Sequence, residues 1–277
     1  MLYLSDLDFT LLRSDTTLSK QTIEVCNKTI QYNKFSIATA RSYTGVKELL
    51  KGINLKEPLI LLDGVIIASP NGDILHMAAI DKELGSEILD IAKQELALEP
   101  LIVAFEDNKE SFIYPSKLNI YQQELIKTMK MRNRVFEDKE LRARDKNLKI
   151  VFQTNEEDAK SLEEVLTNKL GNQIEIKSSK DPYIDCYFIT ILNPLGDKAH
   201  ALKKLEEIET VSIENTTVFG DNHNDIGLFN NAGVKIAVAN AIDELKELAT
   251  ITLPHTNDED AVARYLNKKL NLGVEFG

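Results

Sequence analysis

Short apolar runs alternate with amphipathic stretches in the first and last thirds of the chain, and each run stops at a polar residue. A run of four or five residues is too short for a helix but fits a buried strand. The first covers residues 2–5 and ends at two acids, Asp6 and Asp8. Ser19 can then cap a helix with Ile23, Cys26 and Ile30 on one stripe. Residues 35–38 read as a second strand, ending in Thr39-Ala40-Arg41. A helix with Val46, Leu49 and Leu50 follows, and Gly52 is placed to end it. Residues 59–62 are a third strand. Further strands at 65–68 and 74–77 flank the hairpin turn Pro70-Asn71-Gly72-Asp73. This β-α-β-α-β order predicts a doubly wound parallel sheet, in which ligands bind at the carboxyl ends of the strands.

The order changes near Asp81, which can cap a helix carrying Leu84, Ile88, Ile91 and Ala92. A strand pair at 101–105 and 111–114 follows, then a helix with Leu118, Tyr121, Leu125 and Met129. The highly charged segment 132–149 reads as solvated surface. A strand at 148–152, a helix at 156–170 and a strand at 174–177 complete an α+β module. The doubly wound pattern then resumes with a strand at 187–192 and a helix at 198–208. The strand at 216–219 ends in Gly220-Asp221. Helices at 224–230, 241–249 and 258–270 and a strand at 234–238 finish the chain. The reading is α/β: one Rossmann-like core over residues 1–80 and 187–277, split by an inserted α+β domain over 81–186.

The chain has 277 residues, enough for two buried cores. The longest apolar run, residues 59–68, is broken by Asp63-Gly64, and no stretch resembles a signal peptide or a membrane span. A cytoplasmic protein without membrane partners is expected. Cys26 and Cys186 lack metal-ligand or redox spacing and read as reduced core thiols. The four histidines show no ligand spacing, so zinc is not expected. The net charge of −11 argues against nucleic-acid partners. It leaves room for an anionic substrate where a metal and a local cation offset the acids.

Chemistry concentrates at the core strand ends. Taken singly, Asp6-x-Asp8 could be loop acids, Thr39 a turn hydroxyl and Lys198 a surface lysine. Gly220-Asp-Asn-His-Asn-Asp225 could be a helix cap, although its acids recur at i, i+4 behind a turn-permitting glycine. Coincidence explains the ordered set poorly.

That set resembles the haloacid dehalogenase superfamily. Asp6-Leu-Asp-Phe-Thr10 is similar to its first motif, Thr39 to the second, Lys198 to the third and Gly220–Asp225 to the fourth. The insertion lies between the second and third motifs, as in the C2-capped type IIB branch, the Cof-like phosphatases. Residues 237–241 and 257–262 also resemble that branch. The resemblance implies a Mg2+-dependent phosphatase acting on small soluble phosphomonoesters, with sugar phosphates foremost. Asp6 would be the nucleophile, forming an aspartyl phosphate. Asp8 would be the general acid and base. Thr39, Lys198 and Asn224 would hold the phosphate. Mg2+ would sit on Asp6, the Asp8 backbone carbonyl and Asp221, with Asp225 in support. Ala40, Arg41, Asp63, Gly64 and Asn240 are candidates for substrate proximity. Tyr114, Tyr121, Arg134 and Tyr183 are cap candidates, and the cap would close over the site.

Four residues depart from the family pattern. Phe9, Ala40 and Ala199 replace usual glycines, and Asp63 stands where asparagine is usual. Phe9 would stiffen or reshape the flap. Asp63 would add an anion near the substrate entrance and favour donor-rich leaving groups. Alternative readings are a phosphatase dedicated to pyridoxal phosphate or a glycosyl phosphate, a phosphomutase, or a catalytically silent phospho-ligand binder. A receiver-type signalling domain also has an acidic strand end and a lysine, but it lacks an inserted module.

Overall fold

β1 (Leu2–Ser5) is buried throughout, and a helical turn over Leu7–Leu11 follows it. α1 (Lys20–Tyr32) is capped by Ser19, whose hydroxyl accepts from the Thr22 amide. β2 (Lys34–Ile37), α2 (Tyr43–Lys47) and β3 (Leu59–Leu61) come next, then the meander strands β4 (Ile66–Ala68) and β5 (Ile74–Met77). α3 (Lys82–Leu96), β6 (Leu101–Glu106), β7 (Lys109–Pro115), α4 (Ile120–Met129) and β8 (Val135–Asp138) follow. The middle of the chain ends with β9 (Asn147–Thr154), α5 (Glu156–Leu170), β10 (Glu175–Lys180) and β11 (Tyr187–Leu192). The last part holds α6 (Lys198–Glu209), β12 (Thr216–Gly220), α7 (Ile226–Asn231) and β13 (Val234–Ala237). α8 (Asp243–Leu248), β14 (Ile251–Thr252) and α9 (Ala261–Leu270) close it. This computed structural model describes residues 1–129, 134–181 and 186–276.

The chain divides into two units, Met1–Met77 with Asp197–Gly277, and Ala78–Gly196. In the first, a parallel five-stranded sheet runs β14-β13-β12-β1-β2. A parallel bridge from Ala38 to Ile60 leads on to the antiparallel β3-β4-β5 sheet. The doubly wound expectation holds for this sheet. β1 lies inside the sheet with a parallel neighbour on each side, and Leu2 and Leu4, two residues apart, share one of its faces. Leu2 and Leu4 are essentially inaccessible, and burying each contributes roughly 2 kcal/mol.

The second unit is a six-stranded sheet, β10-β11-β9-β6-β7-β8, with α3 and α5 packed against each other. Its core includes Ile88, Ile102, Ile150, Phe152, Leu162 and Ile191. Two sequence readings are corrected here. Tyr187–Leu192 was expected as a core strand from 187 onward, but it pairs antiparallel with both β9 and β10. The insertion therefore extends to Gly196 rather than ending at residue 186. The charged segment is also more than solvated surface. β8 pairs with β7, Arg144 pairs with Asp138 and Glu106, and Ala143 and Asn147 are buried. Asn147 is held by the Ile80, Asp81 and Arg144 carbonyls, which accept from its amide.

Smaller differences have local causes. α2 is shorter than its apolar pattern, ending before Leu49 and Leu50. α9 starts at Ala261 rather than 258, because Asp260 adopts φ 59° and breaks the path from the turn Asn257–Glu259. Of the cap candidates, Tyr114 is buried and Arg134 donates to Ser111 Oγ, both inside the second unit. Tyr121 is half-buried on α4, and Tyr183 lies outside the described residues.

The cysteines are buried, and burial pushes the Cys26 thiol up to about 12. The native protein is expected to give no thiol signal with Ellman's reagent, and two equivalents once denatured. Prompt release of one equivalent from native protein would contradict this burial.

Candidate active site

Parallel register brings the chemistry to the carboxyl ends of the sheet's strands. Ser5 stands level with Ile37 on one side and Phe219 on the other. Asp6 continues the ladder, its amide donating to the Phe219 carbonyl at 2.9 Å. Thr39 and Asp221 each follow a neighbouring strand end, within about one strand spacing of Asp6. Thr39 is fully buried, and its hydroxyl accepts from the Arg41 amide.

Lys198 opens α6, behind Asp197, whose side chain caps the helix by accepting from the His200 amide. The ammonium is fully buried and donates to Asp6 Oδ1 at 2.5 Å and to Asp225 Oδ1 at 2.7 Å. Burial alone would depress its pKa. The carboxylates of Asp225, Asp6 and Asp63 outweigh burial and hold it above the usual lysine range. Gly64 makes this placement possible. Its φ is 116°, and a Cβ there would lie 2.1 Å from the Asp197 carbonyl oxygen. Gly64, expected near substrate, is thus the contact that lets the β3–β4 turn press on the start of α6.

One carboxylate oxygen from each of Asp6, Asp221 and Asp225 lies within 4.8 Å of the others. Burial raises the Asp6 carboxyl well above its ordinary value, against the pull of Lys198. Burial likewise raises Asp221 to about 6, although Thr10 Oγ1 donates to its Oδ1 at 2.7 Å. Asp225 spends its second oxygen on the amides of Asp221 and Asn222, at 3.0 and 3.3 Å. Gly220 permits that approach, since a Cβ would lie 2.6 Å from Asp225 Oδ2. Three buried acids share one ammonium, and Asp63 adds a fourth nearby. A surplus of oxygen donors and negative charge fits a hard divalent cation such as Mg2+.

Asp8 is about one-third exposed and is gripped by Arg41, whose Nε and Nη2 donate to its two oxygens at 2.8 and 2.6 Å. Arg41, expected near substrate, is thus a forked partner of the expected acid. Asn224 was expected to position Asp6 or phosphate, but its amide donates to Asp63 Oδ1 at 3.3 Å. Asp63 is buried, and beside Lys198 and Asn224 it belongs to the charge cluster rather than to an open entrance. Asn240 donates to the Phe9 carbonyl at 2.8 Å, and Ala40 is exposed at the end of β2. Sequence reading gave Thr10 no role, although its place in the first motif was a usable signal.

A sequence model of the haloacid dehalogenase-like hydrolase family matches residues 3–266. The chain belongs to that family. The 5-amino-6-(5-phospho-D-ribitylamino)uracil phosphatase YitU of Bacillus subtilis is 24% identical over 272 residues, covering 96% of each chain. A solved Thermotoga maritima structure superposes with TM-score 0.79 at 23% identity, covering 100% of this chain and 98% of the other. A HAD/COF-like hydrolase from Plasmodium vivax gives 0.77 at 25% identity, with 98% and 95% covered. These matches bear out the Cof-like resemblance and the α/β fold. Among the described residues, no helix is long and apolar enough to cross a membrane.

Proposed function

We propose that this haloacid dehalogenase-like hydrolase is a Mg2+-dependent phosphatase of small phosphomonoesters, with sugar phosphates foremost, acting through an aspartyl phosphate on Asp6. One observation carries the reading: a buried Asp6 carboxylate within 2.5 Å of a buried lysine, inside a three-carboxylate cluster. The Asp6 carboxylate attacks phosphorus, forming an O–P bond as the ester P–O bond breaks. Asp8 supplies the proton to the leaving alkoxide, then takes one from the water that releases inorganic phosphate. Arg41 orients Asp8, and one of its two hydrogen bonds opens so that the freed oxygen can carry the proton given to the alkoxide. Lys198 and Thr39 hold the phosphoryl oxygens. Asp6, Asp221 and the Asp8 carbonyl would hold Mg2+. Asp225, already bonded to Lys198 and two amides, supports it by orienting these groups. When bound, the ion would offset the mutual repulsion of carboxylate and phosphate.

The test is hydrolysis of p-nitrophenyl phosphate and a panel of metabolite phosphates, with Mg2+ and with EDTA. The panel includes the phosphoribitylamino-uracil for which the Bacillus subtilis relative is named. Turnover with Mg2+ and a loss of at least about 100-fold in EDTA are expected. No turnover on any ester would reject the phosphatase reading. Activity unchanged by EDTA would reject the metal.

A further inference from the structure

Phe9 is costly where it stands. Its φ is 57°, in the left-handed region that a bulky residue enters at a cost of about 1 kcal/mol. Packing does little to repay this, because Phe9 is 52% exposed while Leu7, Thr10 and Leu11 in the same turn are buried. The conformation is held from outside. Asn240 binds the Phe9 carbonyl, the Asn257 amide donates to Asn240 Oδ1, and the Asn257 side chain donates to the Leu12 carbonyl. A strained, half-exposed ring on a clamped turn points to function.

The position beside Asp8 suggests which function. Asp8 must reach the ester oxygen, so the leaving group begins within hydrogen-bond distance of that carboxyl. The Phe9 Cα is about 3.8 Å from the Asp8 Cα, across one peptide bond. An exposed aromatic residue therefore adjoins the proposed acid in the chain. We propose that Phe9 is a specificity residue. Its ring is the surface against which a leaving group with a flat apolar face packs, a sugar or heteroaromatic ring rather than a short open chain. This rests on the phosphatase reading above and names the substrate class it favours.

Four esters test it. Glucose 6-phosphate and pyridoxal phosphate bear rings; glycerol 3-phosphate and phosphoserine bear none. Phe9→Gly relieves the backbone and removes the ring. It is expected to lower kcat/KM for the ring-bearing esters about tenfold, mainly through KM. The ring-free esters should change by less than about twofold. Phe9→Asn, also tolerated at positive φ, should repeat the loss, and Phe9→Tyr should keep the wild-type ratio. The melting midpoint of Phe9→Gly should not fall, which separates lost recognition from lost structure. An equal loss on all four esters would make Phe9 a flap element and overturn the proposal, as would an unchanged ratio. A wild type that hydrolyses neither these four nor p-nitrophenyl phosphate would instead bring down the phosphatase reading, and this inference with it; one that hydrolyses p-nitrophenyl phosphate but neither ring-bearing ester would overturn this inference alone.

Discussion

Replacing Asp6 by asparagine should remove turnover, with kcat falling at least about 10,000-fold, while the protein stays folded and becomes no less stable at neutral pH. The amide keeps the shape of the carboxylate but is far too weak a nucleophile to attack phosphorus. The stability part follows from charge. Burial raises the Asp6 carboxyl well above its ordinary value, despite Lys198 at 2.5 Å. A raised acid binds its proton more tightly folded than unfolded. Its ionisation therefore costs stability as pH rises past the unfolded value of about 3.9. A neutral amide avoids that cost, so any gain should be larger at pH 7 than at pH 4. Steady-state kinetics on p-nitrophenyl phosphate and melting curves at the two pH values check both parts. Turnover within tenfold of wild type would refute Asp6 as nucleophile. A sharply lowered midpoint would refute the charge argument.

The sequence exposed the strand ends well, because apolar runs that stop at acids are a local signal. β1, with Asp6 behind it, and α5 were legible in full from burial pattern and caps. Sheet membership was not. Tyr187–Leu192 reads as a strand in either unit, and only its partners at 150–154 and 175–180 assign it. β8 was hidden because an edge strand with exposed Phe136 and Glu137 lacks a buried face. Long-range polar pairing was equally hidden. Arg41 lies 33 residues from Asp8, and Asn224 lies 161 from Asp63. Neither residue carries a mark of its partner. The family pattern named the right neighbourhood but not the contacts inside it, Asn224 to Asp63 and Gly64 against Asp197. Phe9 showed as an oddity in sequence, and only its φ of 57° shows what the missing glycine costs.

Lys198→Met should lose both activity and stability, and the stability loss should depend on pH in a defined direction. The methionine keeps most of the buried stem, so the change is mainly one of charge. In the wild type the ammonium's pKa stands above its ordinary value, so its stabilisation is complete below about 10.4 and fades only above that. Removing it leaves Asp6, Asp221 and Asp225 facing one another in a buried site, with the Asp63 charge it also offset left without it. An uncompensated buried charge costs about 3–5 kcal/mol, which lowers the melting midpoint by roughly 10 °C in a unit of this size. The Asp6 and Asp221 carboxyls, already raised by burial, then move further above their unfolded values, so the folded variant holds protons that the unfolded chain releases. Stability falls as pH rises through that window, and the deficit against wild type should be smaller at pH 5.5 than at 7.5. Turnover should fall by at least about 1,000-fold, since the donor to the phosphoryl oxygens is gone. Melting curves at the two pH values decide the matter: a deficit that stays constant would mean Lys198 matters for its volume and not for its charge.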